Sequence, residues 1–256
     1  MIQSPTMATD FSLERLRQAL TGRSFQYFPQ IDSSNERALN WLSDGVPSGS
    51  LVIADEQTRG RGRMGRVWYA PPNTALMLSY ILHPIPEELT YVGMLGALAV
   101  CEAVETMGAK AGIKWPNDVQ IDGRKLCGVL PEAAWQSDQL RGVVLGIGLN
   151  VRIDFTGTSF ENTAISLEMA VGVVDWVELL LRLLERLDDW SGRLCSDALF
   201  EAWQARLIML GKEVSISNAN GTVQGIAESV DRQGALLVRD PTGTLQRVIA
   251  GDIALG

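Results

Sequence analysis

Residues 60–72 read Gly60-Arg61-Gly62-Arg63-Met64-Gly65-Arg66-Val67-Trp68-Tyr69-Ala70-Pro71-Pro72. The first six spell G-x-G-x-x-G, the pattern that opens the first helix of a dinucleotide-binding fold. That fold needs a helix to begin within the motif. Here Val67-Trp68-Tyr69 and then two prolines follow, which bars one. The stretch is a glycine-rich loop, and the fold has to be read from what flanks it. Arg59, Arg61, Arg63 and Arg66 lie within eight residues. Glycines between them let the backbone approach a ligand and donate N–H groups. Guanidinium forks match phosphate and carboxylate oxygens. Two readings stand: a site for an anionic ligand, or a basic loop touching nucleic acid, with Trp68 and Tyr69 for stacking.

Around this loop the chain alternates helical and strand-like segments. Residues 12–20 and 33–43 read as short helices, capped by Ser12 and by Ser33 or Ser34. Leu51–Ala54 and Ala75–Leu82 are apolar runs consistent with buried strands. Residues 87–107 carry apolar and small residues at helical spacing, suited to packing on a sheet. Residues 113–120 and 125–132 flank Asp122-Gly123, a strong hairpin signal. Residues 142–151 are apolar and punctuated by glycine, as in a central strand close to a ligand. Residues 175–190 form an amphipathic helix with Asp175 as its cap. Beyond Trp203 the runs 214–216, 222–229, 235–238 and 245–249, separated by Asn-Gly, Gln-Gly and Thr-Gly, predict a small β-barrel. The boundary is placed near Gly211, giving domains 1–210 and 211–256.

Composition narrows the function. The chain has 256 residues and a net charge of −8, so a broad basic face for nucleic acid is not expected. Cys101, Cys127 and Cys195 are far apart, without C-x-x-C, which fits a reducing cytosol. The single histidine, His83, rules out multi-histidine zinc sites, and its place between an apolar run and Pro84 makes it a strand-end residue. Residues 1–10 lack the pattern of a signal peptide. No uninterrupted apolar run approaches the ~20 residues that span a bilayer. A cytoplasmic protein without membrane or nucleic-acid partners is expected.

Lys114-Trp115-Pro116-Asn117-Asp118 places Lys, Asn and Asp at the start of the hairpin. Its return strand carries Lys125, Gly128 and Glu132. Such a hairpin can bring Asp118 beside Lys125. An ammonium fixed by a carboxylate can offset charge on a substrate carboxylate and a departing phosphate. The plainer alternative is an exposed ion pair at a surface turn, worth little to stability.

With both segments read, the chain resembles the biotin protein ligases. The matches run in order: Asp32-Ser33-Ser34-Asn35, Gln57 with Gly60 to Arg66, Lys114 to Asp118, Lys125-Leu126-Cys127-Gly128-Val129-Leu130-Pro131-Glu132, and Gly146-Ile147-Gly148-Leu149-Asn150-Val151. Ala164-Ile165-Ser166-Leu167 is similar to the family's Ala-Thr-Ser-Leu. Residues 233–237 resemble its SH3-like C-terminal barrel. The family pattern departs at Ser34, where threonine is usual, at Pro131, where an aliphatic residue is common, and across 152–163.

The resemblance implies an α+β catalytic domain with a mixed β-sheet, related to class II aminoacyl-tRNA synthetases, plus the small barrel. It implies ATP, Mg²⁺ and biotin as reactants: biotinyl-5′-AMP forms, and a lysine of a biotin carboxyl carrier protein then takes the biotinyl group. Lys125, Arg63 and Asp118 are the implied catalytic residues. Ser33, Ser34, Gln57, Gly60, Arg61, Lys125, Gly128 and Gly148 would bind biotin. Arg61, Arg63, Trp68, Lys114, Asn117 and Asn150 would face ATP or the adenylate. No metal ligand and no adenine-stacking residue is assigned. About 30 residues precede Asp32, too few for a winged helix-turn-helix, so no sequence-specific DNA binding is expected. A homodimer stays open. The competing readings are a lipoate–protein ligase, which shares the fold and acyl-adenylate chemistry, a non-catalytic biotin sensor, and a nucleic-acid module built on Arg59–Arg66.

Overall fold

A computed structural model describes residues 11–218 and 221–255. Helix α1 (Leu13–Ala19) is capped by Ser12, whose hydroxyl accepts the Arg15 N–H. Strand β1 (Phe25–Phe28) follows, then α2 (Ser34–Leu42), capped by Ser33. A hydroxyl at this position satisfies an N–H that has no partner within the helix. Next come β2 (Leu51–Ala54), β3 (Ala75–Leu82) and the long helix α3 (Leu89–Thr106). Strands β4 (Gly112–Lys114), β5 (Asp118–Ile121), β6 (Arg124–Gln136) and β7 (Gln139–Asn150) lead to α4 (Leu167–Val171), α5 (Trp176–Ser191) and α6 (Asp197–Gln204). Asp175 caps α5 through the N–H groups of Val177 and Glu178.

The first seven strands form one mixed sheet in the order β1-β2-β3-β7-β6-β5-β4. Only β1 and β2 run parallel. Its core follows the two-residue period of a strand. Leu76, Leu78, Tyr80 and Leu82 of β3, and Val143, Leu145, Ile147 and Leu149 of β7, join the main core with α3 and α5. On the opposite face, Val52, Ile81 and Val144 pack with Ala38 and Leu42 of α2. That second face also carries Ser79, Gly146 and Gly148, whose small size leaves room for the side chains of Asn35 and Trp68. Helix α3 is long and apolar enough to cross a membrane by composition alone. Here its Leu95, Leu98, Val100 and Ala103 are fully buried in the core.

Strands β8 (Glu213–Asn218), β9 (Gly221–Val230), β10 (Leu236–Arg239), β11 (Leu245–Val248) and β12 (Asp252–Leu255) form a second sheet, antiparallel throughout, in the order β11-β10-β9-β8-β12. Val214, Ile216, Ala227, Leu236 and Val238 belong to the same core cluster as α3. Trp115 bridges the two sheets by donating Nε1–H to the Gly234 carbonyl at 2.8 Å.

Three readings of the sequence change. The expected barrel is an open five-stranded sheet: among the described residues, no ladder joins its edges β11 and β12. Residues 113–120 are not one strand. They divide into β4 and β5, with Lys114 opposite Asp118, because Pro116 cannot donate to a ladder. Strand β1, helices α4 and α6, and β12 stand where no element was expected. The turn at Asp122-Gly123 is as read, both residues holding positive φ.

Candidate active site

The glycine-bearing face of the first sheet forms the floor of a cavity of about 590 Å³, within the range of small-molecule sites. Residues 61–69 form one wall and the β4–β5 turn another; residues 155–164 and Gly251 to Ile253 of the second sheet close its rim. The Arg-Gly loop contains one 3-10 turn, Arg63–Gly65, and no α-helix. Met64 within it holds φ +56°. The dinucleotide reading therefore fails on geometry as well as on sequence.

Five cationic side chains line the cavity, Arg61, Arg63, Arg66, Lys114 and Lys125, against two carboxylates, Asp118 and Asp252. In a chain of net charge −8, that local reversal suits an anionic ligand. Lys125 Nζ lies 2.7 Å from Asp118 Oδ1 and 5.7 Å from the Trp68 ring centre. Strand β5 brings Asp118 there because it pairs with Gly128 on β6. Arg63 Nη1 donates to Asn117 Oδ1 at 3.2 Å, and Asn117 in turn donates to the Val129 carbonyl. The loop arginine and the β4–β5 turn are thus tied together. Asn150 donates both amide hydrogens at 3.2 Å, to the carbonyls of Lys125 and Ile165. Its Oδ1 is buried with no partner, and the residue lines the cavity.

At the other end, Gln57 Oε1 accepts the Ser34 N–H at 2.8 Å, with Ser34 Oγ at 3.2 Å. Ser33, Ser34 and Gln57 all line the cavity. Trp68, expected beside the nucleotide, lies over the glycine floor. A Cβ at Gly148 would stand 2.6 Å from its Cε2, and one at Gly128 3.0 Å from its Cζ3. Gly128 and Gly148 face each other across β6 and β7, so the floor exists because neither carries a side chain. Gly60 does not line the cavity. Its carbonyl accepts the Trp68 N–H at 3.0 Å, which makes it a clamp on the loop rather than a wall. Arg59 also stays outside, paired with Asp32 at 2.6 Å on the surface.

Sequence reading missed Asn35, Ser79 and Gly146, which lie behind Ser34. It also missed the aromatic rim, where Tyr69 meets Phe160 at 5.6 Å and Phe155 at 6.4 Å. Cys127 is enclosed beneath the floor, and burial pushes its thiol well above the ordinary range, so it is no nucleophile. His83 lies away from the cavity, its ring nitrogens on the carbonyls of Arg141 and Val46. Among the described residues, no group of three or more His, Cys, Asp or Glu gathers to hold a metal ion.

This geometry has relatives. Residues 27–150 match the Biotin/lipoate A/B protein ligase family, and residues 209–256 match the Biotin protein ligase C terminal domain. The biotin–[acetyl-CoA-carboxylase] ligase of Mycobacterium tuberculosis is 33% identical over 90% of this chain and 88% of its own length. The chain belongs to the biotin protein ligase family. The bifunctional ligase/repressor BirA of Bacillus spizizenii is 32% identical to this biotin protein ligase family member, over 94% of this chain and 77% of the relative. A solved structure, the Aquifex aeolicus biotin protein ligase in complex with biotin and ATP, superposes with a TM-score of 0.77 at 27% identity, covering 91% of this ligase chain and 98% of the other.

Proposed function

We propose that the cavity joins biotin to ATP and passes the biotinyl group to a lysine of a biotin carboxyl carrier protein. In the first step a biotin carboxylate oxygen attacks the α-phosphorus of ATP. The bond to the bridging oxygen breaks and pyrophosphate leaves. In the second, the carrier's lysine amine attacks the acyl carbon, and AMP leaves with the electron pair of the anhydride bond. A carboxylate is already ionised at neutral pH, so the first step needs no base. It needs two anions held together and their charge offset.

The observation that carries this reading is the cation-rich cavity, with Arg63, Lys125 and Asp118 on its walls and Ser34 with Gln57 at its end. Arg63 and Lys125 are assigned to the carboxylate and α-phosphate, with Lys114, Arg61 and Asn117 supporting the phosphates. Asp118 orients Lys125 through their 2.7 Å ion pair. It also stands ready to take a proton from the acceptor lysine, whose unperturbed pKa of ~10.4 leaves it mostly charged at neutral pH. Ser33, Ser34, Gln57 and the Arg61 backbone are assigned to the ureido ring, and the Gly128–Gly148 floor to the valeryl chain. Asn150, which lines the cavity, is assigned to the adenine side. Mg²⁺ belongs to this reading as a companion of the ATP phosphates. Among the described residues, no group of three or more His, Cys, Asp or Glu gathers to hold it. Three free cysteines agree with a reducing cytoplasm.

The test is incubation with biotin, MgATP and an apo carrier domain, followed by intact-mass measurement. A gain of one biotinyl group, lost in Lys125→Ala, is the expected result. A carrier that stays unmodified with the wild-type chain refutes the reading.

A further inference from the structure

The polar groups behind Ser34 have a hydrogen count that fixes their direction. Asn35 is buried, with Nδ2 2.6 Å from Glu132 Oε2 and 3.2 Å from the Leu130 carbonyl oxygen. A carboxylate and a carbonyl can only accept, so the amide nitrogen must face them. A flipped amide would set oxygen against oxygen. Glu132 is itself paired with Arg61 at 3.1 Å. Asn35 Oδ1 therefore faces Ser79 Oγ, 2.6 Å away, and takes its one hydrogen.

Ser79 is fully buried, and its Oγ also lies 2.8 Å from Ser34 Oγ. With its hydrogen committed to Asn35, Ser79 can only accept across that contact, so Ser34 donates there. The remaining neighbour of Ser34 Oγ, Gln57 Oε1 at 3.2 Å, is farther and, as a carbonyl oxygen, can only accept. Ser34 Oγ thus turns lone pairs, and no hydrogen, to a ligand.

We infer that Glu132, Asn35 and Ser79 form a proton-orienting relay that makes Ser34 an obligate hydrogen-bond acceptor, so that the cavity selects a ligand N–H at that position and rejects an oxygen. The inference rests on the biotin reading, in which the ureido ring presents N–H groups to Ser34. All three residues act through Ser34 and are positioning residues. The relay also explains Gly146, where a Cβ would lie 2.4 Å from Asn35 Oδ1.

The experiment is calorimetric titration of the full chain with biotin and with two cyclic-carbamate analogues, each with one ureido N–H replaced by ring oxygen. The wild type binds biotin at least about tenfold better than one of the carbamates, the worth of about one hydrogen bond. Ser79→Ala removes the nearer of the two acceptors around the Ser34 hydrogen, Ser79 Oγ at 2.8 Å against Gln57 Oε1 at 3.2 Å. Asn35→Leu removes the acceptor of the Ser79 hydrogen, so Ser79 donates to Ser34 and no longer holds the Ser34 hydrogen. In both variants the biotin-to-carbamate affinity ratio falls about tenfold for that analogue. Variants that weaken all ligands in proportion, or keep the wild-type ratio, overturn the relay. So does a wild type that binds biotin but ranks neither carbamate below it. A wild type that binds no biotin overturns the biotin reading and the relay together. If Asn35→Leu does not fold, Ser79→Ala decides alone.

Discussion

A methyl group on Gly148 probes the cavity floor directly. In Gly148→Ala the new Cβ would lie 2.6 Å from Trp68 Cε2 and 2.8 Å from Cζ2. Carbon pairs rest at about 3.5–4.0 Å, so the indole must retreat by roughly 1 Å. Overpacking of this kind costs about 1–3 kcal/mol. Without ligand, Trp68 is only partly buried on a loop outside the strands and can shift into the open cavity, so the stability loss should stay near the low end. With biotin the tail must share the same floor, and the cost passes into affinity. The predicted loss is about 1–3 kcal/mol, or roughly 5- to 150-fold in Kd, measured by calorimetry. Gly93→Ala is the control: its Cβ meets nothing nearer than Pro131 Cγ at 3.8 Å, so biotin affinity holds. A Gly148→Ala protein that melts earlier yet binds biotin like the wild type would show that the glycine serves packing alone.

Other outcomes follow from the same geometry. Gly96→Ala places a Cβ 2.7 Å from Val129 and 3.0 Å from Leu145 on rigid strands, so its melting temperature falls, by about 1–3 kcal/mol of stability. Gly93→Ala on the same helix gains about 0.5–1 kcal/mol in thermal denaturation. Arg63→Gly releases free biotinyl-AMP into solution, seen by chromatography, whereas Arg59→Ala, which breaks only an exposed pair with Asp32, leaves adenylate retention unchanged. Burial opposes ionisation of Asp175, but hydrogen bonds from Arg15 and from the start of α5 outweigh it and hold its carboxyl below the usual range. The stability this adds is present above the ordinary carboxylate pKa and is lost as pH falls through the lower folded value. Asp175→Asn therefore melts earlier at neutral pH, and the gap narrows as the pH falls below the ordinary carboxylate range.

The sequence made some elements readable and hid others for physical reasons. Leu51–Ala54 and Ala75–Leu82 were legible because both faces of a central strand are buried, giving continuous apolar runs. Phe25–Phe28 is a half-buried edge strand paired on one side only, and its local pattern carries no alternation. The β4–β5 break hid behind Trp115, whose buried ring reads as one more strand residue although it anchors the second sheet. Arg63, Lys125, Asp118, Asn117 and Asn150 were legible as motifs because contiguous charged and amide residues stand out in apolar surroundings. Ser79 is one hydroxyl within an eight-residue apolar strand, and nothing local marks it. Its meaning appears only when β3, β6 and α2 bring it beside Asn35 and Ser34. Trp68 was legible as a site residue but not as a cover for the glycines, since that depends on how the Arg-Gly loop folds back.

Adenylation of biotin is the first step assigned to this cavity. Incubation with [α-³²P]ATP and biotin, lipoate or octanoate in turn, resolved by thin-layer chromatography, measures it directly. A labelled acyl-adenylate that forms with biotin and disappears in Lys125→Ala is the predicted result; label appearing with lipoate or octanoate and not with biotin would contradict it.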